Sequence, residues 1–252
     1  MTASPMISIQ HLDCAFGTKQ VLSDICADIE QGGMYALMGL NGCGKTTLLR
    51  CIGNLLQPQR GAVLVGGTDI RRYTTRQLAR QISMVRQHSH TDFEFSAFET
   101  VLMGRNPYQR RLQNESRRDW AIVERCMRLT HTWEHRLSKP HEMSGGEWQR
   151  VMIARALAQD TPVMLFDEPT SNLDIAHQFE IMELLSDINR SRRKTILIVM
   201  HDLNLAYRYC PSLLLLHNRR IHYQGPMHDG LTPATVRQVF GIDYPFLHRS
   251  PL

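Results

Sequence analysis

Met34 to Leu56 reads MYALMGLNGCGKTTLLRCIGNLL. An apolar run is followed by a glycine-rich turn and then by apolar positions at Leu48, Leu49, Ile52 and Leu55, which predicts strand, loop and helix in that order. Within it Gly39, Leu40, Asn41, Gly42, Cys43, Gly44, Lys45 and Thr46 spell GLNGCGKT, a full match to GxxxxGK[ST], with Thr47 next. The glycines let successive backbone N–H groups point at one anion, Lys45 adds a positive charge on a long stem, and Thr46 offers a hydroxyl to Mg²⁺. The following helix contributes the positive end of its dipole. The strand before and the amphipathic helix after separate this phosphate loop from a chance glycine turn.

The flanking sequence alternates strand and helix. On the N-terminal side, Ile25, Ala27 and Ile29 alternate with Asp24, Cys26, Asp28 and Glu30, so Ile7 to Glu30 is expected to form two antiparallel strands. GAVLVGG (residues 61–67) predicts a hairpin strand with a glycine turn, and QISMVRQ (residues 81–87) another strand. Residues 96–139 change character, with helical periodicity, two tryptophans and many arginines, which marks a helical insert. PVMLFDE, a helix over about 176–189, TILIVMH, a helix near 204–209 and LLLLHN then restore the strand–helix alternation of parallel βαβ units.

Two further segments carry chemistry. VMLFDE (residues 163–168) is an apolar strand ending in adjacent carboxylates, at the end of a parallel strand where α/β sheets bind ligands. Asp167 is suited to hold hydrated Mg²⁺ opposite Thr46, and Glu168 to orient or deprotonate an attacking water. MSGGEWQRVMIARALAQD (residues 143–160) pairs Ser144 with Glu147 as a capping box. Gly145 and Gly146 each cost about 1 kcal/mol against alanine in a helix, so a cap alone explains them poorly. Bare N–H groups at a helix start suit a phosphate, and since one nucleotide already has a loop at Gly39–Thr46, the second contact makes sense across a dimer.

Composition narrows the classes. The chain has 252 residues, 42% hydrophobic and 21% charged, a globular balance that excludes a disordered, collagen-like or membrane-embedded chain. Apolar stretches such as Thr195 to Met200 and Leu213 to Leu216 fall far short of the roughly 20 residues of a spanning helix. MTASPMISIQ has no basic region followed by an apolar one, so a cytosolic compartment is expected. Six scattered cysteines (Cys14, Cys26, Cys43, Cys51, Cys126, Cys210), without CxxC or His-rich metal spacing, predict reduced thiols. The charge of +5, from 29 Lys+Arg against 24 Asp+Glu, suits anionic partners without identifying them.

The order GLNGCGKT, Gln87, MSGGE, VMLFDE, SNLD (Ser171 to Asp174) and His201 after an apolar strand closely resembles the nucleotide-binding subunit of ABC transporters, over about Ile7 to Phe240. The resemblance implies an α/β fold: a P-loop NTPase core with a parallel sheet, an antiparallel β subdomain and an inserted α-helical subdomain at about 96–158, within one ABC ATPase domain over 1–252. It implies ATP and Mg²⁺ as ligands and a head-to-tail dimer, in which each nucleotide lies between the phosphate loop of one subunit and Ser144, Gly145, Gly146 and Glu147 of the other. By carry-over Phe16 stacks on adenine, Gln87 contacts Mg²⁺ and the attacking water, Asp174 communicates across the dimer, and His201 binds the γ-phosphate. Phe16 keeps the ring but lacks the hydroxyl of the tyrosine common there, and Met143 replaces the usual leucine, a mild change of similar volume.

FSAFETVLMGRNPYQ (residues 95–109) and the tail GLTPATVRQVFGID (residues 230–243) resemble the ATPases of metal-chelate importers, for iron siderophores, haem or corrinoids. That implies a transmembrane permease dimer, a second copy of the subunit, an indirectly coupled substrate-binding protein and a peripheral place at the cytoplasmic face of the inner membrane. Soluble ABC ATPases of translation or DNA metabolism, and ABC subunits for another substrate or for export, are the alternatives; charge alone speaks for nucleic acid. Arg105, Arg110, Arg111, Arg117, Arg118, Arg125 and Arg128 read either as a solvated helical face or as contacts to permease loops or anionic headgroups. His222 and His228 read as surface histidines.

Overall fold

The computed structural model describes residues 5–86, 95–109, 115–171 and 173–243. Among the described residues ten strands form two sheets: β1 (Ile7–Phe16), β2 (Lys19–Ile29), β3 (Met34–Met38), β4 (Arg60–Val65), β5 (Thr68–Asp69), β6 (Ile82–Val85), β7 (Val163–Asp167), β8 (Thr195–Val199), β9 (Ser212–His217) and β10 (Arg220–Pro226). The first sheet runs β2-β1-β4-β5 and is antiparallel, with Ile7 opposite both Ile29 and Val65. The second runs β10-β9-β3-β8-β7-β6; it is parallel except at β10. The helices are α1 (Lys45–Ile52), α2 (Thr75–Leu78), α3 (Ala97–Leu102), α4 (Arg117–Leu129), α5 (Gly145–Ala158), α6 (Ile175–Arg192), α7 (Leu203–Tyr209), α8 (Met227–Gly230) and α9 (Pro233–Phe240).

Every residue of β3, β7 and β8 is buried, as expected of parallel strands covered on both faces. Their side chains divide by the period of two. Met34, Ala36, Met38, Met164, Phe166, Ile196 and Ile198 join one core with residues of α3, α4, α5 and α6. Tyr35, Leu37, Val163, Leu165, Leu197 and Val199 join the other, with α1 and the antiparallel sheet. The parallel core, the antiparallel sheet and the helical insert expected from the sequence are all present. Because β3, β7 and β8 run the same way, Gly39, Glu168 and His201 emerge at one edge of the sheet, where ligands meet open α/β sheets.

The insert is stapled by the segment that carries the resemblance to metal-chelate importers. GRNPY lies in a 3₁₀ turn, Met103–Tyr108, and a Cβ on Gly104 would stand 2.4 Å from the Arg155 carbonyl oxygen, so only glycine lets this turn close on α5. Arg105 is 6% exposed, pairs with Asp119 of α4 at 3.0 Å and donates to the Ala158 carbonyl at 2.7 Å. Neither reading of the insert arginines fits Arg105: it is a buried strut. Arg117, Arg118, Arg125 and Arg128 are exposed, while Arg110 and Arg111 lie outside the described residues. Among the described residues no helix is long and apolar enough to cross a membrane.

Candidate nucleotide site

The phosphate loop links β3 to α1 through backbone that L side chains rarely adopt. Gly39 and Gly44 have φ of +146° and +110°; a Cβ on Gly39 would fall 2.2 Å from the Leu216 carbonyl oxygen, and one on Gly44 2.8 Å from Leu22 Cδ2. The α1 start has no side-chain cap and no acid in its first turn, which leaves its N–H groups and positive dipole end to an anion. Lys45 is only 5% exposed, and its ammonium donates to the Gly39 and Leu40 carbonyls at 2.9 and 3.0 Å. Burial draws it below the usual lysine range, against the opposing pull of Cys43, Glu168 and Asp167. Burial pushes the Cys43 thiol upward.

Asp167, at the end of β7 and 4% exposed, accepts a hydrogen bond from Thr46 Oγ1 at 2.9 Å. Burial raises its carboxyl above the usual range, and the neighbouring Glu168 charge adds to the rise. A hydroxyl and two adjacent carboxyl groups form the hard oxygen donor set that Mg²⁺ prefers, and a divalent charge there relieves the carboxylates' mutual repulsion. Glu168 takes a left-handed backbone, φ +52°, in a turn closed by the Ser171 N–H and hydroxyl donating to its carbonyl at 3.2 and 2.9 Å. Its carboxylate meets His201 Nε2 at 2.5 Å.

Phe16, Val21, Asn41, Gly42, Gly44, Lys45, Thr46, Thr47, Glu168 and His201 line one cavity of about 670 Å³. Phe16 is 51% exposed at the end of β1, so it is not a core aromatic. Val21 was not anticipated; it comes from the neighbouring sheet, and nothing local in sequence marks it. Gln87 lies outside the described residues. Ser144, Gly145, Gly146, Glu147 and Asp174 do not line this cavity. Ser144 caps α5 reciprocally with Glu147: its Oγ accepts the Glu147 N–H at 3.3 Å, and the Glu147 carboxylate accepts the Ser144 N–H at 2.8 Å. Those bonds from Ser144 hold the Glu147 carboxyl below the usual range. Asp174 caps α6.

The structure also brings His11 beside Asp24 and Cys26, which lie 13 and 15 residues further along the chain. His11, Asp24 and Cys26 stand on β1 and β2 with their donor atoms within 4.8 Å of one another. The group is an exposed ion pair, His11 Nδ1 to Asp24 at 2.8 Å, with a thiol at its edge.

A phosphate loop, a Thr–Asp pair with the Asp buried, a Glu–His pair at the strand ends and a helical insert define a P-loop ATPase of the cassette type. Residues 22–171 match the family described as ABC transporter. The chain is 40% identical over 252 residues, 98% of its length and 93% of the relative's, to the achromobactin transport ATP-binding protein CbrD of Dickeya dadantii. It is 35% identical to the ferric enterobactin transport ATP-binding protein FepC of Escherichia coli, over 92% of this chain and 86% of that one. A metal-chelate type ABC transporter solved in an inward-facing conformation superposes with a TM-score of 0.84 at 26% identity, over 94% of this chain and 90% of that one. The dimeric cassette MJ0796 bound to ADP and Pi does so with a TM-score of 0.77 at 27% identity, over 88% and 99%. The chain belongs to the ABC transporter family. It is an ATP-binding subunit, an ATPase coupled to transport.

Proposed function

We propose that this subunit powers import of a metal chelate, an iron siderophore, haem or corrinoid, through a separate permease dimer at the cytoplasmic face of the inner membrane. The observation that carries the ATPase half of this reading is the convergence of Lys45, Thr46 and the Glu168–His201 pair on one cavity, with Asp167 bonded to Thr46, while Ser144 to Glu147 stay outside it. In this reading the chain supplies one half of a sandwich around the nucleotide, and a second copy supplies the other. Similarity to subunits named for achromobactin and ferric enterobactin transport supports the cargo class.

In this reading Phe16 stacks on the base, and the loop N–H groups of Gly42 to Thr46, with Thr47 behind them, bind the phosphates. Lys45 exchanges its two carbonyl partners for phosphate oxygens. Thr46, Asp167 and Gln87 would hold Mg²⁺, which neutralises phosphate charge when bound. Glu168 accepts a proton from the attacking water, and His201, fixed by Glu168, holds the γ-phosphate in line. The partner's Ser144, Gly145 and Gly146 close over that phosphate, and Asp174 lies along the same seam.

The test is affinity purification of the tagged subunit from detergent-solubilised native membranes, with identification of what co-purifies. A stoichiometric multi-span permease, whose ATPase responds to a loaded binding protein for a ferric or corrinoid chelate, is the expected outcome. Ribosomal or DNA-associated proteins without a permease would overturn the transport assignment, and stimulation only by a different solute would overturn the cargo.

A further inference from the structure

His177 has no part in the roles assigned above, yet it touches two of the segments that have one. It lies on the first turn of α6, where its backbone N–H donates to Asp174 Oδ1 at 2.9 Å and its ring Nδ1 stands 2.8 Å from both Asp174 oxygens. The other edge of the ring faces α5. A Cβ on Gly146 would sit 2.6 Å from His177 Cδ2 and 2.9 Å from Cγ. The backbone at Gly146 has no left-handed φ, so space rather than conformation requires glycine there. The helix-propensity cost of this residue thus has a local physical cause, the imidazole wedged against its α-carbon.

Two other contacts follow the same seam between the α5 start and the Asp174 turn. Leu173 Cδ2 lies 3.6 Å from the Cβ position of Gly145, and one turn further along both helices Arg150 forms an ion pair with Glu180. Below them Ile181, Met182 and Leu185 of α6 and Val151 and Ala154 of α5 are buried in one core, so each helix is anchored by side chains other than His177. His177 is the residue that touches both Asp174 and Gly146.

We propose that His177 is a positioning residue for ATP hydrolysis: its ring fixes the spacing of the Asp174 turn from the Ser144–Gly146 helix start, so that both reach the partner's nucleotide as one unit. This rests on the reading that those two segments face the partner. A bond through the ring Nδ1 makes the coupling chemical as well as steric, and the two contributions separate by substitution. His177→Leu fills the space and loses the donor. His177→Asn keeps a planar group and an N–H donor near the position of Nδ1.

The experiment measures kcat, equilibrium ATP binding and Tm for the full-length subunit assembled with its permease, and ATP-driven dimerisation in the Glu168→Gln background. His177→Leu is expected to lower kcat about tenfold with ATP affinity of the isolated subunit unchanged, and to raise the ATP concentration needed for dimerisation, while His177→Asn restores kcat to within about threefold. Wild-type kcat in His177→Leu, or Asn as impaired as Leu at equal Tm, would overturn the role of His177 alone. Absence of an ATP-driven dimer in the Glu168→Gln parent would instead overturn the partner-facing reading, and the coupling with it.

Discussion

Lys45 and Ser144 each stand at a helix start that the sequence aims at phosphate, yet the two starts are furnished differently. At α1 the cap is Gly44, with no side-chain hydrogen bond and no acid in the first turn, and the loop before it surrounds a cavity. At α5 the cap is Ser144, closed by Glu147, whose second oxygen lies 3.3 Å from His135 Nε2. The first start leaves donors and dipole uncompensated, so it binds an anion by itself. The second satisfies part of its own end and keeps its shape without a ligand, with Ser144 and Gly145 exposed. In the proposed reading one half captures and the other is presented. Substitutions that separate capture from presentation test this division.

The largest effect is expected at Glu168. Glu168→Gln retains shape and the ability to bond His201 but loses basicity, so hydrolysis should fall by about 10²–10⁴-fold, the usual contribution of a general base. Nucleotide binding should persist, and an ATP-bound dimer should accumulate in gel filtration. Normal turnover would remove Glu168 from the chemistry and leave the capture half intact.

Asp119→Asn comes next and strikes the presenting half through its frame. Arg105 reaches from the GRNPY turn to the C-terminal end of α5 and to Asp119, both side chains being nearly buried. Breaking such a pair leaves an uncompensated buried guanidinium, a cost of about 3 kcal/mol or roughly 6–12 °C in Tm. Burial works to raise the Asp119 carboxyl, but bonds from Ser116 and Arg105 outweigh it and hold the group below its ordinary value of 3.8. A depressed folded-state pKa means stability that is complete above the ordinary value and is lost as pH falls through the folded one. The Tm gap between wild type and variant should therefore be full at neutral pH and shrink below about pH 4. ATP binding by the isolated subunit should be unchanged at neutral pH; a parallel loss would mean that the two halves are not independent.

Lys45→Ala acts on capture alone. Removing charge-assisted bonds worth about 1.5–3 kcal/mol should weaken ATP binding by roughly 10–150-fold, measured by titration calorimetry. Because burial already disfavours the free ammonium, Tm without nucleotide should hold or rise slightly. Unchanged affinity would exclude Lys45 as a phosphate ligand.

The same contrast explains what the sequence disclosed. The capture half is written locally: eight consecutive residues, an apolar run ending in Asp167 and Glu168, and a histidine after another apolar strand are each legible without knowing what they pack against. Periodicity also gave the parallel core, since fully buried strands need continuous apolar runs. The presenting half depends on encounters between distant segments. Nothing near Gly146 announces that His177 fills the space beside it, so the glycine looks like a phosphate contact only. Nor does a count of insert arginines distinguish Arg105, buried on Asp119, from the exposed Arg117 and Arg118. Helix α6 starts at Ile175 because Asp174 caps it, whereas its end, three residues beyond the expected one, depends on Arg193 adopting φ +49°.

Gly145→Ala is the gentlest change and the sharpest on this point. Unlike Gly146, Gly145 is exposed, and a methyl group there meets only Leu173 Cδ2 at an ordinary 3.6 Å. Alanine should be neutral or stabilising by up to about 1 kcal/mol, a Tm change of no more than roughly 4 °C upward. ATP binding by the isolated subunit should also hold, because the residue is outside the cavity. If Gly145 is bare so that its N–H reaches the partner's phosphate, the methyl group obstructs that approach, and turnover of the assembled transporter should fall severalfold despite the steadier fold. A drop in Tm would show that the α5 start is strained rather than self-sufficient. Full turnover would remove Gly145 from the seam and leave Ser144 and Gly146 to make the contact.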